Sequence, residues 1–496
     1  MDIFPTLTDC ARLFQGDQTL FDVKFFPYPT ADNDNIFAVT GEQDVFIFRP
    51  DLESDPPYEL LGWYKDEDSK AFYNSLVWTV DPTTHRPLLC IAGSSPKQIK
   101  ILDALTGEPL RTLPGHGKDI NDLAISPLST NLIASAAEDY TIRLWDLRPK
   151  FEAQPCVAIF SGEGHKQPTL SMAFHPNGRW LLSGGLDTAV CLWAVPDLDQ
   201  LDQPEDQISQ HTTPTVVYYP HFMSIEIHPN YVDCLQFYGD LIFSRAARDQ
   251  NSNNKNEILL WKIDGFDPND PAPSEPPMPG PTTYTRSSFP HPKSSRGFQR
   301  ILSFSIPHTD RFYHRFGLLH RPGMRPILSM GNQESTFLFW DLQKLEEGGD
   351  PAEEKKRGRG GKAGRKPNPT ISSENLNRLD EVRSESVASD GNTTGGGGTP
   401  KPSSTSMSGP PERRFALSDP FTPLKAHASF TPKTRLCRNA RGLDEHFATS
   451  QMAWSPDGTW LVACGDKGMM CIFHRDKSVV NGGGVRVEGA AAASKA

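Results

Sequence analysis

Over Phe21–Phe48 and Tyr73–Leu102 apolar and polar residues alternate, the period of a strand with one buried face. Short apolar runs such as Asn35-Ile36-Phe37-Ala38-Val39 fit strands buried on both faces. Further along, two stretches repeat each other. Gly115-His116 is followed by Ser135, Asp139 and Trp145-Asp146, and Gly164-His165 by Ser183, Asp187 and Trp193. The Ser-to-Asp and Asp-to-Trp offsets are the same in both copies. Weaker copies follow: Ser244 with Trp261; Gly331-Asn332-Gln333 with Trp340-Asp341; and Trp454-Ser455-Pro456-Asp457-Gly458 with Phe473. Together with the two alternating stretches, these make seven units.

The Gly-His … Trp-Asp spacing is the signature of a WD40 blade, a four-stranded antiparallel sheet. The fold expected is all-β, a seven-bladed WD40 β-propeller with long disordered insertions. In each good copy the Asp accepts from the His, the His meets the Ser hydroxyl, and the Ser meets the Trp indole. Such a chain satisfies polar groups that burial would otherwise leave unpaired, and it does no chemistry. Gly and Pro concentrate in two interruptions. The expected organisation is blades 1–5 over residues 19–264, a Pro- and Ser-rich loop over 265–296 and blade 6 over 297–343. A disordered basic, Gly- and Ser-rich insert over 344–426, blade 7 over 427–476 and a flexible tail over 477–496 follow. Residues 196–226 read as a further loop.

No apolar run in the 496 residues is long enough for a membrane helix, and Met1-Asp2-Ile3-Phe4-Pro5 does not read as a signal peptide. The eight Cys include no Cys-x-x-Cys pair, which weighs against zinc and thioredoxin-like sites. They read as reduced core residues of an intracellular protein. Nucleophile-elbow, phosphate-loop and His-rich metal patterns are absent, so the chain is expected to be no enzyme and to need no cofactor. The net charge is −11. Residues 355–366 carry seven positive charges, which leaves −18 for the rest and suits partners with basic tails. The basic run itself reads first as a solvated loop, next as a nuclear import signal and last as a weak DNA contact of AT-hook type.

Three segments carry a more specific likeness. They are His228-Pro229-Asn230-Tyr231-Val232-Asp233-Cys234 through Ser244; Arg315-Phe316 with Met330-Gly331-Asn332-Gln333 and Trp340-Asp341-Leu342; and Phe72-Tyr73 with Trp78-Thr79 and His85-Arg86-Pro87-Leu88-Leu89. In these the chain resembles the embryonic ectoderm development/extra sex combs family, the propeller subunit of Polycomb repressive complex 2, and its long inserts look like those of a fungal member. The resemblance implies a nuclear, non-catalytic scaffold that binds a SET-domain histone methyltransferase and the other subunits of that complex. It also implies an aromatic cage for trimethyl-lysine on the histone H3 tail, and stimulation of the catalytic partner by the bound tail. By motif match the cage residues are Phe25, Tyr73, Phe312 and Tyr313, with Phe312 standing where the family usually has Trp. Asn121, Asp233 and Arg315 match the peptide groove, and Ser450 stands in place of a groove Arg. The alternative reading is a substrate receptor of a cullin-type ubiquitin ligase, from Trp145-Asp146-Leu147-Arg148.

Overall fold

The computed structural model describes residues 3–14, 16–29, 34–197, 213–247, 256–280, 284–349, 418–430, 434–435 and 446–476. The basic run 355–366, most of the 344–426 insert and the tail 477–496 lie outside the described residues.

Seven sheets, each built on four antiparallel strands, make the seven blades of a β-propeller. Blade 1 runs from its inner strand outward through Asp22–Phe25, Phe37–Gly41, Asp44–Pro50 and Tyr58–Lys65. Blade 2 is Phe72–Val80, Pro87–Ser95, Gln98–Asp103 and Pro109–Pro114. The inner strands of blades 3 to 7 are Ile120–Ile125, Thr169–Phe174, Val232–Tyr238, Gly317–Leu319 and Thr449–Trp454. The outermost strand of blade 7 is Thr6–Arg12, ahead of the boundary expected at residue 19. It pairs with Met469–His474, so the two ends of the chain close one sheet.

The core explains why the ring closes. A hydrophobic cluster lies between every pair of neighbours, including blades 7 and 1, where Leu20, Val23, Phe37 and Phe48 pack with Val462, Cys464, Met470 and Ile472. Each blade buries both faces against others, which is why the strands read as continuous apolar runs more often than as clean alternation. Where a second strand approaches the start of an inner strand, space is short. A Cβ at Gly93 would stand 1.9 Å from the carbonyl oxygen of Phe72, and one at Gly465 2.1 Å from that of Ala448. Glycine is what lets the backbones close there.

The polar chains form as the spacing predicts. His116 reaches Asp139 at 2.9 Å and Ser135 at 2.7 Å, and the Trp145 indole donates to Ser135 at 2.8 Å. His165 does the same with Asp187 at 3.0 Å and Ser183 at 2.8 Å, and Trp193 donates to Ser183 at 2.9 Å. Blade 5 keeps a shortened chain, His228–Ser244–Trp261, with distances of 2.7 and 2.8 Å.

The inserts are partly structural. Thr215–Val217 pairs in parallel with Cys156–Phe160 as a fifth strand of blade 3, and Phe222–Ser224 is the fourth strand of blade 4, so 196–226 contributes to two blades. Thr285–Ser287, within the Pro- and Ser-rich stretch, is the fifth strand of blade 4. Phe298–Ser305 is the outer strand of blade 5, and Ala426–His427 adds a fifth. The outer strand of blade 6 is Thr434–Arg435, on the far side of the long insert.

Candidate functional site

Hydrogen bonds across the channel gather the first residues of the inner strands at one end. Arg315, just before the inner strand of blade 6, is the hub. Its Nη1 donates to Asp122 Oδ1 at 2.7 Å, and its Nη2 to the carbonyl oxygens of Leu170 at 3.1 Å and Asn121 at 3.3 Å. Its backbone N–H donates to the Ser450 carbonyl at 2.8 Å. Blades 3, 4, 6 and 7 are thereby tied through one residue, whose planar guanidinium fork suits several fixed acceptors. Asp122 Oδ2 accepts from the Met172 N–H at 2.9 Å, and Asp22 Oδ2 from the Leu76 N–H at 3.0 Å, linking further neighbours.

Asn121, Asp233 and Arg315 all lie at this end, but each is buried and engaged inside the protein. Asn121 donates to the Thr169 carbonyl at 2.9 Å. Asp233 pairs with the fully buried Arg245 and accepts from the Tyr313 N–H at 3.2 Å. Burial pushes the Asp233 carboxyl up, against the opposing pull of Arg245. Asp233 Oδ1 and Arg315 Nε, both buried, have no hydrogen-bond partner among the described residues.

The aromatic residues divide into two groups. Phe312 and Tyr313 are together, with ring centroids 4.3 Å apart. Tyr231 packs edge-on against Phe312 at 5.5 Å, and Phe21 lies 6.3 Å from Tyr313, also edge-on. Phe72 continues the chain at 5.1 Å from Phe21. The Tyr313 backbone has φ 65°, in the left-handed region that a bulky residue rarely adopts. Its hydroxyl donates to the Asn121 carbonyl at 3.1 Å and accepts from Asn74 at 3.3 Å, and the Arg315 guanidinium sits 5.3 Å from its ring centre. Backbone, hydroxyl and ring face are all fixed. Phe312 is 39% exposed, while Phe21, Phe72, Tyr231 and Tyr313 are part-buried.

Phe25 and Tyr73 do not join them. Phe25 ends the inner strand of blade 1, so it lies toward the opposite mouth of the channel, in a cavity of about 280 Å³ that Ile125, Gln236, Leu319 and Trp454 also line. It packs on Phe37 at 5.3 Å in the core between blades 7 and 1. Tyr73 is fully buried between blades 1 and 2. Its hydroxyl donates to Asp66, which Lys100 also pairs with. Burial would raise the Asp66 carboxyl, but its bonds from Lys100 and Tyr73 outweigh that and hold it low. Of the four motif-matched rings the structure brings together Phe312 and Tyr313; beside them stand Phe21 and, through it, Phe72, the chain neighbour of Tyr73. The ladder shifts register on both sides of Tyr73, against the second strand of blade 2.

The WD domain, G-beta repeat model matches residues 107–146, 154–194 and 438–474. The chain is 41% identical to the Polycomb protein EED of Chaetomium thermophilum over 70% of its own length, which spans 60% of that relative. It is 30% identical to the Polycomb protein esc of Musca domestica, over 67% of this chain and 72% of that one. Among solved structures, a chain in the Chaetomium thermophilum polycomb repressive complex 2 aligns with a TM-score of 0.71 at 33% identity, covering 95% of this chain and 98% of that one. The chain belongs to the Polycomb EED/esc family. Another structure of that complex, described as bound to H3K27me3 and H3K27M, matches this family member equally well, with a TM-score of 0.71 at 32% identity. The ligase-receptor alternative finds no such support. In this EED/esc chain Arg148 turns back on Asp146, at 2.7 Å.

Proposed function

We propose that the chain is the non-catalytic scaffold and trimethyl-lysine reader of a Polycomb repressive histone H3 methyltransferase complex, and that it acts in the nucleus. The observation that carries this is the ring cluster Phe21, Phe72, Phe312 and Tyr313 at the channel end, in a member of the EED/esc family. A quaternary ammonium has no N–H, so acceptors cannot select it. Ring faces attract its spread charge, by about 0.5–2 kcal/mol per ring according to desolvation. Phe21 comes from the approach to blade 1, Phe72 from blade 2 and Phe312-Tyr313 from the approach to blade 6, so only a closed propeller assembles the cage. Phe25 and Tyr73, the motif-matched candidates, serve this reading as core residues, Phe25 between blades 7 and 1 and Tyr73 between blades 1 and 2.

The bound tail would stimulate the methyltransferase by favouring its active state over its inactive one; binding without that difference would change nothing. A SET-domain catalytic subunit supplies the chemistry. The acidic body of the chain favours encounter with a basic histone tail. Two measurements test the reading: reconstitution with and without this chain, and titration of tri- and unmethylated H3 peptides by fluorescence polarisation. Full methyltransferase activity without the chain would overturn the scaffold role. Equal binding of both peptides would overturn the cage.

A further inference from the structure

The strand that closes the ring carries a thiol directly opposite another. In the pairing of Thr6–Arg12 with Met469–His474, Cys10 stands across from Cys471, and their Sγ atoms lie 2.7 Å apart. Directly opposed residues of an antiparallel pair have Cα atoms about 4.5–5.5 Å apart, inside the range a disulfide spans. The two thiols differ in access. Cys471 is fully buried in the core between blades 6 and 7, and Cys10 is part-exposed on the outermost strand of blade 7. The other described cysteines, at 90, 156, 191, 234 and 464, are buried.

We propose that Cys10 and Cys471 form a reversible disulfide that latches the propeller shut under peroxide. Hydrogen peroxide reaches Cys10 first and converts its thiol to a sulfenic acid, releasing one water. The Cys471 thiol then displaces the hydroxyl from that sulphur, forming the S–S bond and releasing a second water. The two sulphurs lose two electrons in all and the peroxide oxygens gain them. A thiol reductant reverses the step, as expected of an intracellular redox-sensing pair. The bond would join positions 461 residues apart in sequence, across the one sheet made from both ends of the chain. It would stop the outer strand from peeling away from blade 7.

The test uses the full chain treated with hydrogen peroxide and then alkylated. Peptide mapping without reductant should recover a Cys10–Cys471 cross-link that dithiothreitol removes. Hydrogen exchange over residues 6–12 should slow at least several-fold on oxidation in the wild type and stay unchanged in Cys10→Ser. Because Cys471 is buried, Cys471→Ser can lower stability; the part-exposed Cys10→Ser keeps the test independent of that. Both thiols surviving peroxide in reduced form, or Cys10 cross-linked to a different cysteine, would overturn the proposal. So would slowed exchange of the strand in oxidised Cys10→Ser.

Discussion

Phe21→Ala and Phe25→Ala, four residues apart, should fail in different ways. Phe21 is part-buried and touches the rings of Phe72 and Tyr313, so its loss removes one wall of the proposed cage. One ring is worth about 0.5–2 kcal/mol to a bound cation, which weakens binding of a trimethyl-lysine H3 peptide by about 2–30-fold. Phe25 is 6% exposed in a core that joins the first and last blades. Its truncation leaves a cavity there and should cost about 3–5 kcal/mol of stability. Peptide affinity of the molecules that remain folded should be unchanged. Fluorescence polarisation at a temperature where both variants are folded, paired with urea denaturation, separates the two effects. If Phe25→Ala weakens peptide binding by fully folded protein while Phe21→Ala leaves it intact, the assignment of rings is wrong.

Arg315→Ala should cost about 3–5 kcal/mol in urea denaturation, because it strands the buried Asp122 carboxylate; Arg315→Lys should recover only part of that, lacking the fork that also reaches Leu170 and Asn121. Ser135→Ala removes the shared partner of His116 and Trp145, and the loss should be about 1–3 kcal/mol for each group left unpaired, read from the urea midpoint. Burial pushes His228 and His314 down to about 3, against about 6.5 in an unfolded chain. Between those values the unfolded chain takes up protons that the fold refuses, so stability is full above about pH 6.5 and falls as pH drops. The slope is up to about 1.4 kcal/mol per pH unit for each histidine, and His228→Gln should flatten it between about pH 6.5 and 4. A urea midpoint that rises on acidification from about pH 7 to 5 would contradict this.

The blade chains were legible because each uses four residue types at fixed offsets within one sheet. His116, Ser135, Asp139 and Trp145 could be placed without knowing anything beyond that sheet. The proposed cage was legible only as a class of residue. Phe21 and Phe25 share a parity on the same extended stretch, so alternation cannot tell them apart. What separates them is which end of the inner strand each occupies, and that depends on the other blades. Phe72 and Tyr73 are adjacent, and the register shifts around Tyr73 are invisible in the pattern. The strand Thr6–Arg12 escaped notice for another reason. Its alternation is weak, and its partner lies more than 450 residues away.

That same strand is synthesised long before the strand it pairs with. At about 5–20 residues per second, roughly 20–90 s separate the making of Cys10 from the making of Cys471. Through that interval its backbone N–H and C=O groups have no ladder to join, the condition under which a strand recruits foreign edges. The sequence of the strand answers this hazard. Thr6, Thr8, Asp9 and Arg12 keep it polar, and its pattern of burial in the finished sheet is correspondingly shallow. The weak apolar signal that hides the strand from a reader of the sequence also leaves little apolar edge for a foreign strand to join while its partner is still unmade.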